Sequence, residues 1–75
     1  MNHIEIKHEV QKINRKSDFL QLLDDSMLSE KEKQFMKMFY IECKNIEYIA
    51  DEMGYSRQGV LKIHKRCLKK LESLL

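Results

Sequence analysis

The stretch that decides the fold is Asn45-Ile46-Glu47-Tyr48-Ile49-Ala50-Asp51-Glu52-Met53-Gly54-Tyr55-Ser56-Arg57-Gln58-Gly59-Val60-Leu61-Lys62-Ile63. Asn45 has the short polar side chain that satisfies the first free amides of a helix. Ile46, Ile49, Ala50 and Met53 follow at i, i+3, i+4 and i+7, which is one buried helical stripe. Gly54 comes directly after that stripe and can take the left-handed backbone conformation that ends a helix. Ser56 then caps a second helix, and Tyr55 is placed to staple onto Val60. Val60, Ile63, Cys67 and Leu71 mark the buried side of that helix, and Leu68, Leu74 and Leu75 extend its apolar surface. A short helix, a tight turn at glycine and a longer helix form the helix-turn-helix pattern. Ala50 is small where the two helices must approach, and Val60 and Ile63 pin the second helix to the first.

Upstream, Ser29-Glu30-Lys31-Glu32 reads as a capping box, in which the serine hydroxyl and the glutamate carboxylate each accept from the other's backbone N–H. Phe35, Met36, Met38, Phe39 and Tyr40 give the helix behind it an apolar side, and its end is expected near Cys43-Lys44. Asp24-Asp25-Ser26 reads as a loop. Phe19-Leu20-Gln21-Leu22-Leu23 is a buried run, and Ser17-Asp18 either caps a new helix or lies inside one long helix. Ile6, Val10, Ile13 and Leu20 recur at spacings compatible with a helix face. The expectation is an all-α fold of four or five short helices with a C-terminal helix-turn-helix. Residues 1–27 would form an N-terminal helical segment, serving as a packing or dimerisation arm, and residues 28–75 the helix-turn-helix domain.

A chain of 75 residues leaves room for one small core. A second copy completing it is expected, because symmetric dimers are the commonest oligomers and helix-turn-helix proteins often need two half-sites. The absence of proline, the two glycines and the wealth of Leu, Lys, Glu, Met and Ile are a helical composition. Two cysteines and a charged N-terminus, Met-Asn-His-Ile-Glu-Ile-Lys, point to a reducing, cytoplasmic setting without a signal peptide. Nothing approaches the apolar run a membrane span needs.

The net charge of +2 conceals a strong asymmetry. Ser17–Ser56 holds nine acids and four lysines, whereas Arg57–Lys70 holds six Lys or Arg and no acid. One basic helix on an acidic body suits a polyanionic partner; a solvated charged face is the plainer alternative.

Catalytic chemistry has no footing. There is no glycine-rich phosphate loop, no nucleophile motif and no His-Glu-x-x-His, and adjacent Asp24-Asp25 suit a cap or solvated turn. His64 and Cys67 stand at i and i+3, with His3, His8 and Cys43 elsewhere in the chain, but no paired ligand spacing exists, so neither metal nor other cofactor is expected. Cys67 and the five methionines read as core.

Leu28-Ser29-x-x-Glu32, Phe35-Met36-x-Met38-x-Tyr40 and Ile46-x-x-Ile49-Ala50-x-x-Met53-Gly54-Tyr55-Ser56-Arg57-x-x-Val60-x-x-Ile63-x-x-Arg66-x-Leu68-x-Lys70-Leu71 together resemble the C-terminal, promoter-reading domain of the sigma-70 family. Gly54-Tyr55-Ser56-Arg57 and Ile63-His64-Lys65-Arg66 are similar, more narrowly, to small stand-alone sigma-like regulators of phages and mobile elements in Gram-positive bacteria. The resemblance implies a transcriptional regulator that binds a specific site in double-stranded DNA. The alternative it leaves open is an interaction module docking on RNA polymerase or another regulator, for which the acidic Glu42–Glu52 surface is available. The chain departs from the family at Gln58, where an acid is usual, at Gly59, where arginine is frequent, and at Leu61, where a basic reader is usual. Its target therefore need not be a −35 element. The remaining sigma domains are missing, so promoter melting is not expected of it.

With that motif, Ser56 and Arg57 stand at the first turn of the second helix, where base edges are read. Arg57 suits guanine, Gln58 adenine and Leu61 a thymine methyl; alternatively, Arg57 pairs with Asp51 or Glu52, and Leu61 belongs to the core. Lys62, Lys65, Arg66 and Lys69 are expected on phosphates.

Overall fold

A computed structural model of the chain describes residues 2–13 and 15–75. Five α-helices follow one another, α1 (His3–Gln11), α2 (Lys16–Asp25), α3 (Glu30–Met36), α4 (Ile46–Met53) and α5 (Arg57–Leu71), with no strand among the described residues. A π-helical turn, Lys37–Ile41, continues α3, and a 3₁₀ turn, Glu72–Leu74, follows α5. The fold is all-α with a C-terminal helix-turn-helix, as the sequence predicts.

The starts of α1, α3, α4 and α5 have a common cause. The side-chain oxygens of Asn2, Ser29, Asn45 and Ser56 accept from the backbone N–H of Glu5, Glu32, Tyr48 and Gly59 at 2.9, 3.3, 2.8 and 3.1 Å. At Ser29 the capping box is complete, because the Ser29 backbone N–H donates to Glu32 Oε1 at 2.8 Å. Gly54 ends α4 at φ +72°, and the Tyr55 N–H donates back to the Ala50 carbonyl at 2.9 Å. That closure uses the left-handed region a side chain disfavours.

Three details differ from expectation. Asp24 and Asp25 belong to the last turn of α2; the helix stops only at Ser26, whose hydroxyl donates to the Leu23 carbonyl at 2.6 Å. Ser17 and Asp18 lie inside α2, a helix separate from α1, and Ser17 is not its cap, a position held by Arg15 without a side-chain bond. The helix starting at Glu30 widens at Lys37 to i→i+5 bonds and is over by Glu42, whose N–H donates to the Lys37 carbonyl at 3.0 Å. Cys43 then takes φ +56° to turn the chain toward α4.

The core runs through all five helices. Ile6 and Val10 from α1, Phe19 and Leu23 from α2, Phe35 and Met36 from α3, Ile49 and Ala50 from α4, and Val60, Ile63, Cys67, Leu68 and Leu71 from α5 are buried together, with Leu28 and Met38. α5 is the shared wall, packing against α1, α3 and α4. Ile6 and Val10, on the apolar face of the N-terminal segment, are 2% and 1% exposed within the single chain, and Ile13 and Leu20 pack against the same core. Among the described residues no helix is long and apolar enough to cross a membrane.

Candidate nucleic-acid interface

α5 separates its residues by side. With about 100° between successive residues, Val60, Ile63, His64, Cys67, Leu68 and Leu71 fall on one side and are buried. The remaining surface carries Arg57, Gln58, Leu61, Lys62, Lys65, Arg66 and Lys69, every one of them exposed; Leu68 marks the boundary between the two sides, in line with the space between Arg57 and Leu61. Ser56, also exposed, heads the row as N-cap. Leu61 is 39% exposed, so it stands among the cations and outside the core.

Of two charged contacts on α5, one differs from the sequence reading and the other was not foreseen. Arg57 finds its acid in Glu47, with Nη1 to Oε1 at 3.5 Å, and not in Asp51 or Glu52. Both side chains are largely exposed, and such a pair contributes little to stability, so the guanidinium stays available to a competing acceptor. Lys70, the last cation of the helix, turns away from the row and donates to Glu32 Oε1 at 2.8 Å. Glu32 is only 4% exposed. Burial pushes its carboxyl up, but Lys70 and the Ser29 backbone N–H outweigh that, and its pKa lies below the ordinary carboxylate value. The capping box of α3 is thereby joined to the end of α5.

Sequence reading missed Lys31 and its pairing with Tyr55. Lys31 Nζ donates to Tyr55 Oη at 3.1 Å and stands 5.3 Å from the centre of that ring. Tyr55 is half-buried against the core cluster that includes Val60, with its Cβ beside Gly59; its contact with Lys31 also ties the turn to α3. Lys31, Lys62 and Arg66 line one cleft between α3 and α5. A lysine two residues after the capping serine was the only signal for this, and nothing in the sequence says that α3 approaches α5 there.

The inner face of α5 is held by an aromatic cluster. His64 Nε2 lies 2.7 Å from Tyr40 Oη, and the imidazole packs against the stacked pair Phe35 and Phe39 at centroid distances of 5.2 and 5.0 Å. Burial pushes the Tyr40 phenol well above its ordinary range. The Cys67 thiol is raised to about 12, again by burial first and then by Glu32. Both i, i+3 candidates for metal ligation, His64 and Cys67, thus face the core. Among the described residues no group of three or more His, Cys, Asp or Glu is placed to hold an ion; the His3 side chain lies outside them.

A buried glycine-turned helix pair that projects one basic helix defines a helix-turn-helix domain of the DNA-binding class. Sequence comparison makes the assignment narrower. Residues 26–73 match sigma-70, region 4, and the chain belongs to that family of DNA-binding helix-turn-helix domains. UPF0122 proteins of Streptococcus pyogenes, serotypes M5 and M49, are each 32% identical to it over 65 residues, covering 87% of this chain and 57% of their own length. The chain therefore spans little more than half the length of these curated relatives. No solved structure matches it.

Proposed function

We propose that the chain is a sequence-specific regulator of transcription that places α5 in the major groove of double-stranded DNA. The observation that carries this reading is the exposed row Ser56, Arg57, Gln58, Leu61, Lys62, Lys65, Arg66 and Lys69, opposite a fully packed face. The N-terminal turn of a recognition helix meets base edges. Arg57 there suits the paired acceptors of guanine, Gln58 the acceptor and donor of adenine, and Leu61 a thymine methyl. Lys62, Lys65, Arg66 and Lys69 flank them and suit the phosphates, and Lys31, which shares a cleft with Lys62 and Arg66, extends that positive surface onto α3. Acids are absent from α5, and only Arg57 of the row pairs with an acid from another helix among the described residues, an exposed Glu47, so the row attracts a polyanion. Such a regulator acts in the cytoplasm of a bacterial cell.

Selection of bound duplexes from a random library tests this directly. A shared sequence motif is the expected product, together with affinity that falls steeply as salt rises, because phosphate contacts release counterions. Recovery of no motif and no salt-dependent binding would remove the reading. The second reading is docking on RNA polymerase through the exposed acids Glu42, Glu47, Asp51 and Glu52 on and before α4. Retention of polymerase by the immobilised chain, abolished by reversing those charges, would favour it. Homodimerisation on two half-sites belongs to the first reading, and a two-fold symmetric selected motif is its signature.

A further inference from the structure

Away from the basic face, a cavity of about 630 Å³ opens between the α1–α2 segment on one side and the π-turn with its following loop on the other. Its aromatic lining is Phe19, Phe39 and Tyr40, with Tyr40 5.7 Å from Phe19 and edge-on to Phe39 at 4.9 Å between ring centres. Its charged lining is Arg15, Lys16 and Lys44, and among the described residues no carboxylate borders it. Arg15 and Lys16 enter none of the ion pairs formed by the described residues, and Lys44 stands 4.9 Å over the Tyr48 ring. Concave sites of roughly 300–1,000 Å³ with an apolar lining and a few convergent polar groups are the form small-molecule sites take. Unpaired cations beside an apolar floor add the sign of the charge the ligand must bring.

We propose that this cavity binds a small amphipathic anion, an aromatic or aliphatic body carrying one acidic head group, with the body on Phe19, Phe39 and Tyr40 and the head group between Arg15 and Lys16. One wall of the site, which holds Arg15, Lys16 and Phe19, precedes the family match at residue 26, whereas Phe39, Tyr40 and Lys44 lie within it. The site is linked to α5 through Tyr40, which lines it and contacts His64 on the inner face of that helix. A small acid is favoured over a protein segment because the volume, about 630 Å³, is ligand-sized and its described lining carries three cations and no carboxylate.

Anilinonaphthalene sulfonate, an aromatic body with an anionic head, is a suitable probe, and phenylnaphthylamine, nearly the same body without the charge, is its control. The folded chain should bind the sulfonate saturably at one site, with methyl shifts at Ile13 and Ile41, two further lining residues. An Arg15→Ala/Lys16→Ala variant should bind it about tenfold more weakly, the effect of losing two exposed charge contacts. Binding of the neutral amine should change less than about twofold on the same scale. Neither side chain caps α2, so the fold should survive, as circular dichroism will verify. The charge-preserving Arg15→Lys/Lys16→Arg variant should restore the parent affinity and separates charge from shape. Absence of saturable binding, equal affinities for the sulfonate in parent and Ala variant, or methyl shifts confined to other parts of the chain would each overturn the proposal.

Discussion

Glu32 joins two roles in one carboxylate. It closes the capping box at Ser29 and receives Lys70 from the far end of α5, both through Oε1. Its Oε2 is buried without a hydrogen-bond partner, so it depends on its neighbours to remain charged. Lys70→Met leaves that charge without its cation and should cost about 1–3 kcal/mol of stability, read as a lower urea midpoint. The pH dependence follows from the lowered pKa. Stability contributed by Glu32 is present above the ordinary value of 4.5 and is lost as pH falls through the folded-state value. The gap between parent and Lys70→Met should therefore narrow below pH 4.5. Cys67 has the opposite sign. With its pKa raised from 9.0 to about 12, the contribution of the neutral thiol is present below 9 and is lost as pH rises toward 12. Cys67→Ala should flatten the alkaline limb of the stability profile. Gly54→Ala, at φ +72°, should cost about 1–2 kcal/mol, the strain of a side chain in the left-handed region; an unchanged melting midpoint would contradict that assignment.

At the scale of elements, the local signals were legible where one residue fixes one bond. Asn45, Ser29, Ser56 and Gly54 each act through the backbone within a few residues, and each stands where its chemistry places it. The basic side of α5 was legible for a related reason: its burial pattern repeats over four turns, so the phase is set by many residues at once. The π-turn was not legible. Lys37–Ile41 carries no special local residue, and the wider turn is accompanied by packing of Phe39 and Tyr40 against His64, 24 residues beyond Tyr40. Contacts of that range, like Lys70 with Glu32 or Lys31 with Tyr55, depend on how helices are arranged and leave no spacing to read. Asp24 and Asp25 were misjudged because turn-forming residues are tolerated in a final helical turn when a following serine supplies the stop. Tyr40→Phe isolates the long-range bond. It should cost about 1 kcal/mol while helicity is retained, and equal stability of parent and variant would show the Tyr40–His64 contact to be incidental.

For the whole molecule, the N-terminal segment is part of the core. α1 buries Ile6 and Val10 on the helix that carries the basic face, so the support of that face extends beyond residues 26–73. Ile6→Ala with Val10→Ala should lower stability by several kcal/mol, since each large-to-small core change costs roughly 1–4 kcal/mol, and binding to DNA should weaken only as the folded fraction falls. The charge distribution works on the same scale: cations gather along one exposed side of α5, while Glu42, Glu47, Asp51 and Glu52 stand exposed before and along α4. Titration of the parent, Arg57→Ala and Lys65→Ala, each verified as folded, against the duplex selected from a random library and against an unrelated duplex, tests the account most directly. Arg57→Ala should lose about 1–3 kcal/mol on the selected duplex and little on the unrelated one. Lys65→Ala should weaken both about equally and lower the salt slope by roughly one. Binding by both variants indistinguishable from the parent on both duplexes would contradict the assignment of α5 as the DNA-reading helix.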